Sequence, residues 1–242
     1  GYRAGIDPVL LAASVNAHMG EDILDLGCGV GVASLCLSYR IAGLKIYGVE
    51  IQSDYAALAS ENGKLNSIDL NVINADIAKL PSRLRQMQFD HVIANPPYFD
   101  ELASTSSFNQ GRDISRILNT PLVDWVSVMA QRLKQKGWAH LIYRADQFDT
   151  LFPLLTSRFG SFVLTPIIPR AEREAELIII HMRKSGRAAF RLESPLCLHK
   201  GLKHIEDASD YTEKVEDILR GRGALTSWLK NKKSSTNDYV KL

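Results

Sequence analysis

Short apolar runs alternate along the chain with longer stretches of helical spacing, and the alternation predicts strands and helices in turn. Asp22 to Leu26, Lys45 to Val49, Asn71 to Asn74 and Phe89 to Ala94 are apolar runs of strand length. Gly137 to Tyr143, Ser161 to Ile168 and Glu176 to Met182 are three more. Helical spacing covers Asp7 to His18, Val30 to Ile41, Ser53 to about Lys64 or Asn66, Pro121 to Lys134 and Gln147 to Arg158. Asp7 and Pro8 give the first helix its start signal. Ser53 is set to cap the third, whose alanines and Leu58 form one face.

This order predicts an α/β doubly wound sheet, mostly parallel, with helices on both faces. Only Pro169 to Ala175 separates the last two strands, too few residues for a helical crossover. They should therefore pair antiparallel, as a hairpin at the C-terminal edge of the sheet. No internal repeat interrupts the pattern, so one domain over residues 1–242 is expected. Phe99 to Thr120 is long and rich in Ser and Asn, the character of a loop over a site. Lys230 to Leu242 reads as a frayed polar tail.

Composition changes this picture little. The chain has 242 residues, 45% hydrophobic and 23% charged, enough for a full core. No apolar stretch reaches the roughly 18 to 20 residues of a membrane helix, and no signal peptide is visible. The chain opens at Gly1, which leaves room for residues upstream. Cys28, Cys36 and Cys197 are sparse and lack metal-ligand spacing, and the six histidines form no paired pattern. A cytoplasmic protein without a structural metal is expected. Cys28 reads as a small filler beside a glycine turn, with a reactive thiol as the alternative.

Charge is uneven. Residues 1–100 carry 7 Lys+Arg against 11 Asp+Glu, whereas residues 101–242 carry 22 against 16, inside a net of +2. The basic half suits a polyanion, although ordinary solvated surface explains it as well.

Candidate chemistry begins at Asp25-Leu26-Gly27-Cys28-Gly29-Val30-Gly31, between the first strand and the second helix. Glycines there allow positive φ and close backbone approach to a ligand. A dinucleotide fingerprint wants its third glycine where Val32 stands, which disfavours a nicotinamide oxidoreductase. The tighter spacing through Gly31 matches S-adenosylmethionine-dependent methyltransferases of the Rossmann-like class. Carboxylates suit the sulfonium and ammonium groups of that ligand. Asp25 lies at the methionine end in this reading. Glu50 ends the second strand, where a carboxylate can accept both ribose hydroxyls. By resemblance, Asp76 reaches the adenine amino group, with Ile51 and Ile77 flanking the ring. Each acid has a second reading as a helix cap.

Asn95-Pro96-Pro97-Tyr98 stops the fourth strand, because two prolines cannot donate ladder hydrogen bonds. The run resembles the motif of methyltransferases that act on adenine N6, guanine N2 or the glutamine side-chain amide. The Asn95 side-chain oxygen and the Pro96 carbonyl can each accept one N–H of such an amine. Tyr98 offers a face for stacking a planar target, and catalysis is then positioning plus electrostatics. Asn95 borders the cofactor site as well.

Along its whole length the chain resembles bacterial tRNA adenine-N6 methyltransferases acting on valine tRNA. Gly5-Ile6-Asp7 before Leu10-Leu11-Ala12-Ala13, the Asp-Leu-Gly-Cys-Gly turn, the Asn-Pro-Pro-Tyr run and Pro195-Leu196-Cys197-Leu198-His199 carry the resemblance. It implies S-adenosylmethionine as cofactor, tRNA as substrate, a further segment before Gly1, and Asp7 near the methionine end. The partners expected are RNA but neither membrane nor metal, with the protein a monomer or weak homodimer. Arg170, Arg183, Lys184, Arg187, Arg191, Lys200 and Lys203 are the candidate phosphate contacts, and Arg112 and Arg116 could close over a flipped base. Competing readings are guanine N2 in ribosomal RNA, glutamine N5 in a protein, and an RNA-binding module with a vestigial cofactor pocket.

Overall fold

The structure is a computed structural model that describes residues 5–98, 120–203 and 210–226. Among the described residues, nine strands form one sheet: β1 (Asp22–Leu26), β2 (Lys45–Glu50), β3 (Leu70–Asn74), β4 (Phe89–Ala94), β5 (Leu133–Arg144), β6 (Phe159–Ile168), β7 (Leu177–Lys184), β8 (Arg191–Leu192) and β9 (Leu196–Cys197). Their order is β3-β2-β1-β4-β5-β7-β6-β8, with β9 also on β6. The first five strands pair parallel. β7 turns back and pairs antiparallel with both β5 and β6.

The expected hairpin is therefore present, but β7 inserts between β5 and β6 rather than extending the sheet. Its apolar run explains the choice: Ile178, Ile179 and Ile180 are buried on alternate faces, as an interior strand requires. The outer edge of β6 is lined by β8 and β9, parallel to it and two residues each, too short to leave a periodic signal.

Alternation splits the core. Leu24, Leu26, Tyr143 and Ile180 face one layer with α5 (Leu122–Arg132) and α6 (Phe148–Thr156). Ile23, Ile93, Ile142 and Ile179 face the other, with α1 (Asp7–Ser14), α2 (Val32–Arg40) and α7 (Glu213–Leu219). Two further helices, α3 (Ser53–Leu65) and α4 (Ser82–Gln86), complete the described set.

Three expected details are corrected. α1 ends at Ser14, four residues early, where Val15 turns extended and the Arg40 guanidinium caps the carbonyls of Ala12 and Val15. Ser53 lies inside α3 and makes no capping bond, Gln52 holding the cap position. Leu58 is exposed, and Ala56, Ala59 and Gly63 form the buried face. Residues 99–119 and 230–242 lie outside the described residues, and with them the expected loop, Arg112, Arg116 and the tail.

One polar seam crosses the second layer. His91, His140 and His181 stand on β4, β5 and β7 on the same face as Ile93, Ile142 and Ile179, and all three are buried. Glu21 Oε2 lies 3.1 Å from His91 Nε2, His91 Nδ1 lies 2.9 Å from His140 Nε2, and His140 Nδ1 lies 2.7 Å from His181 Nδ1.

Candidate active site

The glycine turn crosses the carboxyl ends of β1 and β2. Gly27 (φ +67°), Gly29 (φ +55°) and Gly31 (φ +89°) all occupy the left-handed region, which other residues enter only with strain. The Gly27 and Cys28 amides both donate to the Val49 carbonyl, stitching the turn to β2. A Cβ on Gly27 would stand 2.5 Å from Cη2 of Trp125, so only glycine lets α5 approach this closely. Gly31 caps α2 and packs on Ala59 and Leu70. Its close contacts are thus with β3 and α3, and it is absent from the crevice wall.

That crevice, of about 190 Å³, brings together Asp25, Gly27, Gly29, Glu50, Ile51, Asp76, Ile77, Asn95 and Pro97. Two motifs separated by some 70 residues of sequence thus share one wall, at the carboxyl margin where open α/β sheets bind ligands. A larger groove of about 810 Å³ around Tyr39, Asn66 and Leu219 lies at the opposite ends of β2 and β3 and contains no residue of the glycine turn or of the Asn-Pro-Pro-Tyr run.

Each acid is held. Asp25 is buried and accepts a hydrogen bond from Ser34 Oγ at 2.6 Å, tying β1 to α2. Burial pushes its carboxyl up to about 7, with the Ser34 bond opposing and the Glu50 charge adding. Glu50 Oε2 accepts from the Gly29 amide and Oε1 from the Gln52 amide, both at 2.9 Å. Asp76 caps a 3-10 turn over Ile77–Lys79, its Oδ1 accepting from the Ala78 amide. The capping reading of a strand-end acid is thus realised at Asp76 while the residue still lines the crevice. Cys28 is buried against Gly48, and burial pushes its thiol well above the usual range, as befits a filler.

β4 stops at Ala94, and Asn95 and Pro97 continue into the crevice wall. Pro96 between them is buried. Tyr98 faces an adjoining open cleft of about 1190 Å³ with Arg144, Arg170, Glu176 and Lys203. Its hydroxyl donates to Asp7 Oδ2, so Asp7 meets the Asn-Pro-Pro-Tyr run and is absent from the crevice wall, whereas its neighbour Pro8 is present. Reading the sequence missed Trp125, Tyr55 and Thr120, which line the crevice from α5, α3 and the segment before α5. The aromatic start of α5 carries no motif, and only the fold brings it over Gly27.

The candidate phosphate contacts do not share one face. Arg170 is engaged by Asp210 and the Lys200 carbonyl. Arg183 donates to the Lys136 carbonyl and lies over Trp138, and Lys184 donates to the Leu133 carbonyl. Both stand at the amino-terminal margin, because antiparallel β7 carries its end away from the crevice. Exposed Arg187 follows them there, near Gly160. Arg191 pairs with Glu193 on the edge strand β8, level with the middle of β6. Lys200 and Lys203 remain exposed on the crevice side.

Strand order and crevice together define the class I fold of S-adenosylmethionine-dependent methyltransferases. A crystal structure described as a predicted O-methyltransferase from Agrobacterium tumefaciens superposes with a TM-score of 0.72 at 25% identity, over 90% of this chain and 97% of that one. Residues 5–111 match the model of the methyltransferase small domain. Curated relatives include the tRNA1(Val) (adenine(37)-N6)-methyltransferases of Glaesserella parasuis and Haemophilus influenzae, each 31% identical, over 60% and 62% of this chain. The matches span 60% and 64% of those relatives' own length. Among the described residues, no helix is long and apolar enough to cross a membrane.

Proposed function

We propose that this protein is a cytoplasmic enzyme that transfers a methyl group from S-adenosylmethionine to the exocyclic N6 amine of an adenine in structured RNA, tRNA first. The observation that carries the reading is the shared wall: Asn95 and Pro97 line one crevice with Asp25, Glu50 and Asp76. Tyr98, one residue further, faces the neighbouring cleft. The choice of polymer and atom is supported by the similarity to tRNA1(Val) (adenine(37)-N6)-methyltransferases.

The crevice residues fit the donor chemically. Carboxylates suit a cation and vicinal hydroxyls, and Ile51 and Ile77 suit an adenine ring. Asp25 would hold the methionine end, Glu50 the ribose and Asp76 the adenine amine. The cofactor supplies a methyl group on positively charged sulfur. The chain's part is to hold the nitrogen: the Asn95 side-chain oxygen and the Pro96 carbonyl accept its two N–H bonds. That arrangement favours a localised lone pair and stabilises the positive charge that develops on nitrogen. The proton becomes acidic once the new C–N bond forms, so a carbonyl acceptor suffices and no strong base is needed. A hydroxyl target has one proton for the two acceptors, which favours an amine over the O-methylation in the Agrobacterium protein's name.

The test is incubation with methyl-labelled cofactor and separate RNA, DNA and protein pools, followed by digestion to nucleosides. Label recovered as N6-methyladenosine from RNA is the expected result. Label in N2-methylguanosine or in protein overturns the substrate while leaving N-methyl transfer standing.

A further inference from the structure

The Tyr98 hydroxyl and the Asp7 carboxylate meet across 91 residues of sequence. Tyr98 closes the acceptor run, and Asp7 opens α1. The Tyr98 ring also stands edge-on to Tyr143, with centroids 5.7 Å apart and planes at 71°. Tyr143 is fully buried on β5. The ring is therefore tied at its hydroxyl and braced at its edge, while its backbone is stiffened by Pro96 and Pro97. Its anchor is firm as well, because Arg40 from α2 clamps the end of α1.

We propose that Asp7 is a positioning residue for the methyl acceptor: through Tyr98 it fixes the tilt of the ring against which a planar target lies beside Asn95. The proposal rests on the amine-acceptor reading above and replaces the expectation that Asp7 touches the cofactor. A free phenol ring turns about two side-chain torsions, and each orientation other than one misplaces a stacked target relative to the clamped nitrogen. Burial and then the Asp7 bond both push the Tyr98 phenol well above its usual range, consistent with a hydroxyl that donates continuously.

Three substitutions separate the possibilities. Asp7→Asn keeps an acceptor oxygen, Asp7→Ala removes it, and Tyr98→Phe keeps the ring without its donor. Asp7→Ala and Tyr98→Phe should each lower kcat about ten-fold with the Kd of S-adenosylhomocysteine changed less than about two-fold. The double variant should be no worse than either single, because both remove the same bond. Asp7→Asn should restore most of kcat. A loss of cofactor affinity in Asp7→Ala with kcat retained, or an additive double variant, overturns the proposal. The bond is also readable without substrate. In protein carrying carbon-labelled tyrosine, Tyr98 should stay protonated well past pH 10 and titrate earlier in Asp7→Ala. An unchanged titration overturns the proposal, whereas a wild type that methylates no RNA sinks only the substrate reading.

Discussion

Asp25 shows how one buried carboxyl can serve two states of the site. Its pKa of about 7 lies above the 3.8 of a free aspartate, so the folded protein holds a proton that the unfolded chain releases. The Asp25 contribution to stability is therefore fully present below about pH 4, is lost as pH rises toward 7, and stays lost above it. Asp25→Asn, which keeps an acceptor for Ser34, removes that dependence. The variant should equal the wild type near pH 4 and exceed it above pH 7, by up to ~4 kcal/mol at ~1.4 kcal/mol per pH unit. Urea unfolding at the two pH values checks this. The same variant should weaken S-adenosylmethionine more than S-adenosylhomocysteine, since only the former carries the sulfonium; equal weakening removes Asp25 from the charge account. Asp25, Glu50 and Asn95 were legible in the sequence because each stands at the end of an apolar run of strand length, Asp25 just before the glycine turn and Asn95 just before two prolines. Trp125 and the Asp7–Tyr98 bond were not, since no spacing along the chain encodes a contact made across the sheet.

At the scale of elements, the histidine seam sets a proton order. An ionised Glu21 accepts, so His91 donates from Nε2 and must accept at Nδ1. His140 then donates from Nε2 to His91 and accepts at Nδ1 from His181. Nitrogen NMR should find protons on Nε2 of His91 and His140 and on Nδ1 of His181; the opposite tautomer at His181 breaks the chain. Burial lowers the pKa of all three, with Glu21 and Asp90 opposing at His91 and Arg191 adding at His181, which falls to about 3. Neutral histidines thus favour the fold above pH 6.5, the value of an unburied imidazole. As pH falls below it, each ring removes ~1.4 kcal/mol per pH unit until its folded pKa is reached. Acid unfolding monitored by circular dichroism should therefore be steep between pH 6.5 and the folded values; a flat profile contradicts the seam. The strands that carry these rings were legible from their apolar runs. Their placement was only partly so: β7 reads as a hairpin partner from its short connection, but its insertion was visible only in its being apolar on both faces.

For the whole molecule, the antiparallel β7 divides the basic residues. Its eight residues span about 24 Å at 3.4 Å per step, which separates Arg183, Lys184 and Arg187 from the crevice margin. An RNA engaged at Asn95 meets Lys200 and Lys203 first. Charge reversal at both should weaken RNA binding and lower the log–log salt slope by about 1.8, at roughly 0.9 per lost phosphate contact. Arg187→Glu should leave both quantities unchanged, and a comparable loss there restores a track across the sheet. A clustered basic window in sequence concealed this division because strand direction, not residue number, decides which margin a side chain reaches.

In the proposed mechanism, Asn95 addresses the acceptor nitrogen across from a separately built cofactor site. Single-turnover transfer to RNA and calorimetric Kd for S-adenosylhomocysteine, measured side by side on Asn95→Ala, test it most directly. Transfer should fall by at least about a hundred-fold with the Kd within about three-fold of wild type. Proportionate loss of both, or transfer that survives the substitution, contradicts it.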